Sequence, residues 1–278
     1  MMPMTAPVSP TGHVRLVVSD IDGTLITPAR EITPAAHRAA DDLRAAGIRL
    51  SLVSSRAPRG MMQYVRALRI ETPIAGLNGG LICDPDGTIR ERLSLDPRAT
   101  RTAVEFLIAH GVEPWLFIGH DWLVRRADTP QVIHEREVVQ TTPVQVDDFA
   151  GHYTDVGKIM GVASDPAALP GVERDLANLL AGQASVHRSS PIYLDITHPR
   201  ANKGYAAKEL AHLLDTDIRD TACIGDMNND IPMLREAGVS IAMGNAPDNV
   251  KAHARFVTKP NTEDGWAFAM ESFVMPRA

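Results

Sequence analysis

Cysteine is scarce. The 278 residues hold two, Cys83 and Cys223, far apart and in no Cys-x-x-Cys pattern. A disulfide framework and a cysteine-ligated zinc site are thereby excluded, a reducing compartment fits, and both thiols are left to pack as small apolar groups. Lysine is nearly as rare, with only Lys158, Lys203, Lys208, Lys251 and Lys259. A lysine beside a motif therefore carries more information than usual. No basic block breaks the mixed charges, and the net charge is −6, so a nucleic-acid partner is not expected. No apolar run is long enough to span a bilayer, so no membrane partner is expected. Residues 1–12 lack the charged start and apolar centre of a secretion signal and read as a loose tail. The cytoplasm is the expected compartment. Neither repeats nor further low-complexity segments stand out.

What is present is an ordinary globular composition, 44% apolar and 22% charged, over a length that suits one large domain or two small ones. An apolar run at 14–19 ends abruptly in Asp20 and Asp22, followed by Gly23 and Thr24. Such a run reads as a buried strand, and in an open α/β sheet ligands bind beyond the carboxyl ends of the strands. Neither acid has a basic neighbour in the chain, so a cation or a distant lysine must supply the opposite charge.

The remaining pattern is a parallel α/β core with an insertion. Thr33 and Pro34 open a helix that Gly47 stops, 48–53 is a second strand ending in Ser54-Ser55-Arg56, a helix covers about 58–68, and 73–77 ends in Asn78-Gly79-Gly80. The rhythm then changes. A hairpin at 83–92, a helix at about 97–110, paired strands at 114–118 and 122–126, a strand at 156–163, a helix at 172–180 and strands at 183–187 and 192–197 suggest a separate α+β unit. No element is assigned to 127–155. From Asn202 the alternation returns, with a short strand at 221–224 ending in Gly225-Asp226-Met-Asn-Asn229-Asp230 and another at 239–243 ending in Gly244-Asn245. The expected division is a core of 13–82 and 191–278, interrupted by a smaller α+β insert at 83–190.

Four strand ends thus place polar loops on one sheet edge, and Lys203 lies just before the helix that feeds the fourth. Carboxylates without histidine or cysteine select a hard cation such as Mg²⁺. Helix N-termini and backbone N–H groups suit a phosphate. A metal beside a phosphate, with a carboxylate placed to attack, is the layout of phosphoryl transfer through an aspartyl-phosphate. A calcium loop does not fit. Its sixth position wants glycine, and here that position is Leu25 counted from Asp20 or Ile231 counted from Asp226.

Asp20-Ile-Asp22-Gly-Thr24, Ser54, Asn202-Lys203-Gly204 and Gly225-Asp226-x-x-Asn229-Asp230 together resemble the four motifs of the haloacid-dehalogenase-like (HAD) phosphohydrolases. The long insert, Asn78-Gly79 and Asp264-Gly265 resemble their Cof-type sugar-phosphatase subfamily. The resemblance implies a Rossmann-like core with helices on both faces and a cap that selects substrate. It implies Asp20 as nucleophile and Mg²⁺ ligand, and Asp22 as general acid and base with its backbone carbonyl on the metal. Ser54 and Lys203 would meet the transferring phosphoryl group, with Ser55, Arg56 and Asn78 as further phosphate or substrate contacts. Asp226 would ligate the metal, and Asn229 and Asp230 would support the phosphate and the metal. The family commonly has Thr-Gly-Arg where this chain has Ser54-Ser55-Arg56. Like charge from Asp20 is expected to help Asp22 hold a proton near neutral pH.

The expected activity is hydrolysis of a small phosphorylated metabolite, a sugar phosphate in the subfamily's usual pattern, by a monomer or homodimer. A phosphomutase and a non-catalytic phospho-ligand binding module stay open as alternatives. Trp115, Phe117 and Trp122 read as the insert's own core, and His198 and Arg125-Arg126 as loop and surface residues. Asp121, Arg200 and His120 are weaker substrate-contact candidates.

Overall fold

The computed structural model describes residues 13–275, and the expected tail at 1–12 lies outside the described residues. Leu16–Ser19 is buried along its whole length, and successive residues of a strand face opposite sides of the sheet. Val17 packs with Ala222, Ile224 and Ile241 in one apolar cluster, while Leu16 and Val18 pack with Cys223 and Ala242 in another. A strand that is apolar on both sides needs cover on both, which is the setting of a parallel sheet. This strand is accordingly central. The order is Phe256–Val257, Val239–Ala242, Thr221–Gly225, Leu16–Ser19, Arg49–Leu52, all parallel. Pro34–Ala45 and Pro58–Ala67 cover one face, and Lys203–Leu213 and Ile231–Glu236 the other. The caps follow the sequence signals. Thr33 Oγ1 accepts from the Ala36 N–H at 3.1 Å, and Asn202 Oδ1 from the Tyr205 N–H at 2.9 Å. The expected α/β core is therefore present.

A second, six-stranded sheet runs in the order Ser185–Arg188, Tyr193–Thr197, Val156–Ala163, Val112–Ile118, Asp121–Val124, Val144–Gln145. Alternation again assigns its faces. Val112, Leu116, Ile159, Leu194 and Ile196 pack with helices Pro97–Ala109 and Leu169–Leu179. Trp115, Phe117, Trp122, Met160 and Val162 form a different cluster, joined by Leu77 and Leu81 from the segment that follows Ile74–Gly76. The three aromatic residues are thus buried, but on the face turned to the core unit and not in the insert's helix-covered interior.

Strand pairing also moves the expected boundaries. Leu81–Cys83 and Ile89–Arg92 form a hairpin that pairs with Ile74–Gly76, which in turn bridges to the parallel sheet at Val53 and Ala75. Position 83 therefore falls inside a small sheet beside the core. Tyr193–Thr197 pairs with Val156–Ala163, so the insert's sheet extends past 191. Periodicity shows that these strands exist but not which strands they pair with. The helix Pro130–Val139 lies in the stretch left unassigned. Its start signal is nonetheless in the sequence, with Thr129 Oγ1 accepting from the Val132 N–H ahead of Pro130. No helix among the described residues is long and apolar enough to cross a membrane.

Candidate active site

The parallel register sets Ser19 beside Ile224, and the Asp20 N–H donates to the Ile224 carbonyl at 3.0 Å. Asp20 and Asp226, the first residues past the ends of these two neighbouring strands, therefore emerge on the same edge of the sheet. Lys203, at the first turn of its helix, is buried between them and the loop that follows. Its Nζ donates to Asp20 Oδ1 and to Asp230 Oδ1, each at 2.6 Å. Asp230 Oδ2 accepts the N–H groups of Asp226 and Met227 at 2.8 Å. Both oxygens of Asp230 are thus taken, which makes it the brace of the fourth loop. Thr24 Oγ1 donates to Asp226 Oδ1 at 3.2 Å, and Asn245 Nδ2 reaches the Gly23 carbonyl at 2.9 Å and Asp226 Oδ2 at 3.3 Å.

Gly23 is what lets the first loop lie this close. Its φ is +75°, and a Cβ there would sit 2.3 Å from Asp226 Oδ2. Gly23→Ala is expected to displace the Asp226 carboxylate, lowering turnover about tenfold to a hundredfold and stability by about 1–3 kcal/mol. Steady-state rates and a thermal melt check this, and a variant matching the parent in both would mean the close approach is unimportant.

The charges do not balance. Three buried carboxylates surround one ammonium. Burial pushes Asp20 well above the usual carboxylate range, against the pull of Lys203. Burial, with Asp230 adding like charge, pushes Asp226 up to about 6. For Lys203, burial acts to lower proton affinity, but Asp20 and Asp230 more than offset it and keep the ammonium charged. One oxygen from each of Asp20, Asp226 and Asp230 lies within 4.8 Å of the others. With Asp230 already committed, the hard oxygens of Asp20 and Asp226 are the pair suited to a divalent cation.

Asp22 takes a different direction. Its side chain is half exposed and is gripped by buried Arg56, with Nε to Oδ2 at 2.7 Å and Nη2 to Oδ1 at 2.6 Å. Burial acts to weaken the guanidinium's hold on its proton, but Asp22 more than offsets this. Arg56 Nη1 also donates to the Val138 carbonyl at the end of Pro130–Val139, 3.1 Å away. Arg56, expected as a phosphate contact, is therefore spent on Asp22. Asp22 in turn has a guanidinium partner where crowding by Asp20 was expected.

Ser54 is buried, and its Oγ accepts the Arg56 N–H at 3.1 Å. Ser55 faces a cavity of about 710 Å³, which Asp20, Asp22, Asn78, Lys203 and Asn229 also line. Asn78, at φ +55°, accepts from Asn229 Nδ2 at 3.2 Å, tying two loops together at the rim. His198 accepts the Arg200 N–H at 3.1 Å, and Arg200 stacks on Tyr205, as befits loop residues. Sequence reasoning missed Thr24 and Asn245 as braces of Asp226, although both sit at strand ends on the same edge. It also missed Lys158, buried against Asp195 at 2.9 Å with its Nζ 3.5 Å from the Ser55 carbonyl.

The sequence profile of the haloacid dehalogenase-like hydrolases matches residues 17–270. The chain belongs to this family. The hydrolase is 29% identical over 270 residues to pyridoxal phosphate phosphatase YbhA of Escherichia coli, covering 91% of this chain and 96% of that protein. It is 24% identical over 264 residues to 5-amino-6-(5-phospho-D-ribitylamino)uracil phosphatase YcsE of Bacillus subtilis, covering 94% and 96%. A haloacid dehalogenase-like hydrolase from Bacteroides thetaiotaomicron superposes with a TM-score of 0.85 at 28% identity, over 93% of this chain and 98% of that one. The chain is an enzyme of the phosphatase kind, and the Cof-type resemblance of its motifs holds.

Proposed function

We propose that this hydrolase is a Mg²⁺-dependent phosphomonoesterase that works through an aspartyl-phosphate on Asp20. The observation that carries the reading is Lys203, buried between Asp20 and Asp230 at the floor of the cavity. With Oδ1 held by Lys203, Asp20 presents Oδ2 to phosphorus. The ester P–O bond breaks as the Asp20–phosphorus bond forms. Asp22 leaves Arg56, takes a proton from solvent, turns to the leaving oxygen and passes the proton to it, ending as the carboxylate. The same carboxylate then takes a proton from water, which attacks the aspartyl-phosphate, releases inorganic phosphate and restores Asp20. Lys203, Asn78, Asn229 and the Ser54–Ser55 loop hold the phosphoryl oxygens as their charge spreads. Mg²⁺, held by Asp20 and Asp226 with Asp230 bracing the loop, would neutralise carboxylate and phosphate charge in the same place.

The substrate is a small phosphorylated metabolite. Sugar phosphates are the class that the subfamily resemblance brings, and the two named relatives act on other small phosphate monoesters. The insert covers the strand ends and selects among them. Release of phosphate from p-nitrophenyl phosphate with Mg²⁺, and its loss on chelation, tests the reading. In ¹⁸O-water the released phosphate should carry label, whereas a phosphomutase would return the group to substrate. No rate above background would instead leave a binding module.

The charge surplus predicts a pH signature. Asp226 binds its proton more tightly folded than unfolded, so the metal-free fold loses stability as pH rises from about 4 to about 6. The two-unit gap corresponds to about 3 kcal/mol. Without divalent ions, the thermal midpoint is therefore expected to be lower at pH 7 than at pH 5. Millimolar Mg²⁺ should raise it by several degrees at pH 7 and by much less at pH 5. An equal response at both pH values would contradict a cation seated on Asp226.

A further inference from the structure

The three carbonyls of the Ser54–Ser55–Arg56 loop are held from different places. Ser54 accepts the Asn78 N–H at 2.8 Å and Arg56 accepts the Leu77 N–H at 2.8 Å, so both are served from the segment that follows Ile74–Gly76. The Ser55 carbonyl between them has one protein donor among the described residues. That donor is Lys158 Nζ, 3.5 Å away, which comes from the strand Val156–Ala163 of the six-stranded sheet. The other end of the same peptide is fixed too, because the Arg56 N–H donates to Ser54 Oγ at 3.1 Å. Having accepted there, the Ser54 hydroxyl still has its own proton to give. Ser55 lines the catalytic cavity, and among the described residues neither its N–H nor its hydroxyl has a protein partner. The loop therefore holds donors in reserve, and the peptide that orders them is clamped at both ends.

Packing alone does not call for a lysine at 158. The residue is 2% exposed and sits on the face of its strand that carries Met160, opposite its cross-strand partner Phe117. On such a face apolar side chains of similar volume match or better a buried ion pair in stability. The counter-charge is Asp195, on the neighbouring strand Tyr193–Thr197, 2.9 Å from Nζ and also buried. This contact is one of charge and not of alignment, since Asp195 Oδ1 has no well-directed donor. The three N–H groups of the ammonium are thus not spent on Asp195, and one is free for the carbonyl of Ser55. Gly157 brings the lysine within reach. A Cβ there would lie 3.0 Å from Leu77 Cδ1, so the start of this strand is pressed against the segment that serves the other two carbonyls. In so dry a setting an ammonium beside a carbonyl fixes the direction of the peptide dipole more firmly than it would in water.

We infer that Lys158, charge-balanced by Asp195, is a positioning residue, which holds the Ser55 carbonyl so that the donors of the Ser54–Ser55 loop are preset for the transferring phosphoryl group. The inference rests on the phosphatase reading above. Lys158→Met alone would strand Asp195 as a buried unpaired charge. The test therefore uses Lys158→Met together with Asp195→Asn, which removes both charges and keeps both shapes. Parent and double variant are compared with Mg²⁺ on acetyl phosphate and p-nitrophenyl phosphate, and for inhibition by orthovanadate, a five-coordinate mimic of phosphorus in transfer. The expected kcat/KM falls by about tenfold to a hundredfold, alike for the two probes, and the inhibition constant of orthovanadate rises by about the same factor. A smaller fraction of sound enzyme would lower the rate without moving that constant. A lower rate with an unchanged inhibition constant, or a double variant that does not fold, therefore overturns the inference and makes the pair structural. A loss confined to p-nitrophenyl phosphate also overturns it, and puts Lys158 on the leaving group. Parent-like kinetics overturn it outright. A parent that turns over neither probe overturns the phosphatase reading itself.

Discussion

Asp20→Asn is expected to lower phosphate release by about four orders of magnitude or more while leaving the fold as stable as the parent or more so. The amide has nearly the volume of the carboxylate and its oxygen can still accept from Lys203, but it cannot form the bond to phosphorus. The second half of the expectation follows from the charge count. Burial and like charge from Asp230 and Asp226 make an ionised Asp20 unfavourable in the metal-free fold, beyond what Lys203 returns. Removing that charge relieves the cluster, in the way that functional groups are often held at some cost to stability. Purified variant and parent should be compared by phosphate release and by thermal midpoint without divalent ions. Activity within tenfold of the parent would remove Asp20 as nucleophile. Lost activity with a collapsed fold would show Asp20 to be structural.

Lys203→Met is expected to fail in both respects. Lys203 is 1% exposed, and its two partners are Asp20 at 2.6 Å and Asp230 at 2.6 Å. Methionine fills the space but leaves three carboxylates without an opposing charge. Breaking a buried pair from one side typically costs about 3–5 kcal/mol. In a chain of this size that is a fall of roughly 10 °C in the thermal midpoint. Turnover should be undetectable, because the phosphoryl group would approach uncompensated negative charge. The two variants are in contact and should not be additive. Adding Asp20→Asn to Lys203→Met is expected to restore part of the lost stability and none of the activity. A double variant no more stable than Lys203→Met alone would show that the lysine's contribution is packing and not charge.

Much of this site is legible from residue order alone. A run apolar on both faces has to be a central parallel strand, and a parallel sheet sends the loops after Leu16–Ser19, Arg49–Leu52 and Thr221–Gly225 to one edge. Asp20, Asp226 and the Ser54–Arg56 loop meet there for that reason, and the scarcity of lysine makes Lys203 conspicuous. What the sequence hides are contacts set by the packing of the two units on each other. The pairing of Arg56 with Asp22 is one, since nothing in the spacing of 22 and 56 says which way the guanidinium turns. The placing of Trp122 and Phe117 is another. Alternation along each strand shows that they are buried on one face or the other, but not that Leu77 and Leu81 lie opposite and not the insert's helices. The boundaries shift for the same reason, because Tyr193–Thr197 declares its sheet only through its hydrogen bonds to Val156–Ala163.

The register of the central strand has a consequence for how the chain is made. Leu16 pairs with Thr221, so one edge of the strand that carries Asp20 has no partner until most of the chain has left the ribosome. The six-stranded sheet has no such wait, because all of its strands lie between Val112 and Thr197. Closing so long a loop adds entropy cost and slows folding. During that interval an apolar strand with an open edge is a template for pairing with another chain. Synthesis therefore finishes the six-stranded sheet first and the parallel sheet last, and Asp20, Lys203 and Asp226 come together only when the strand Thr221–Gly225 arrives.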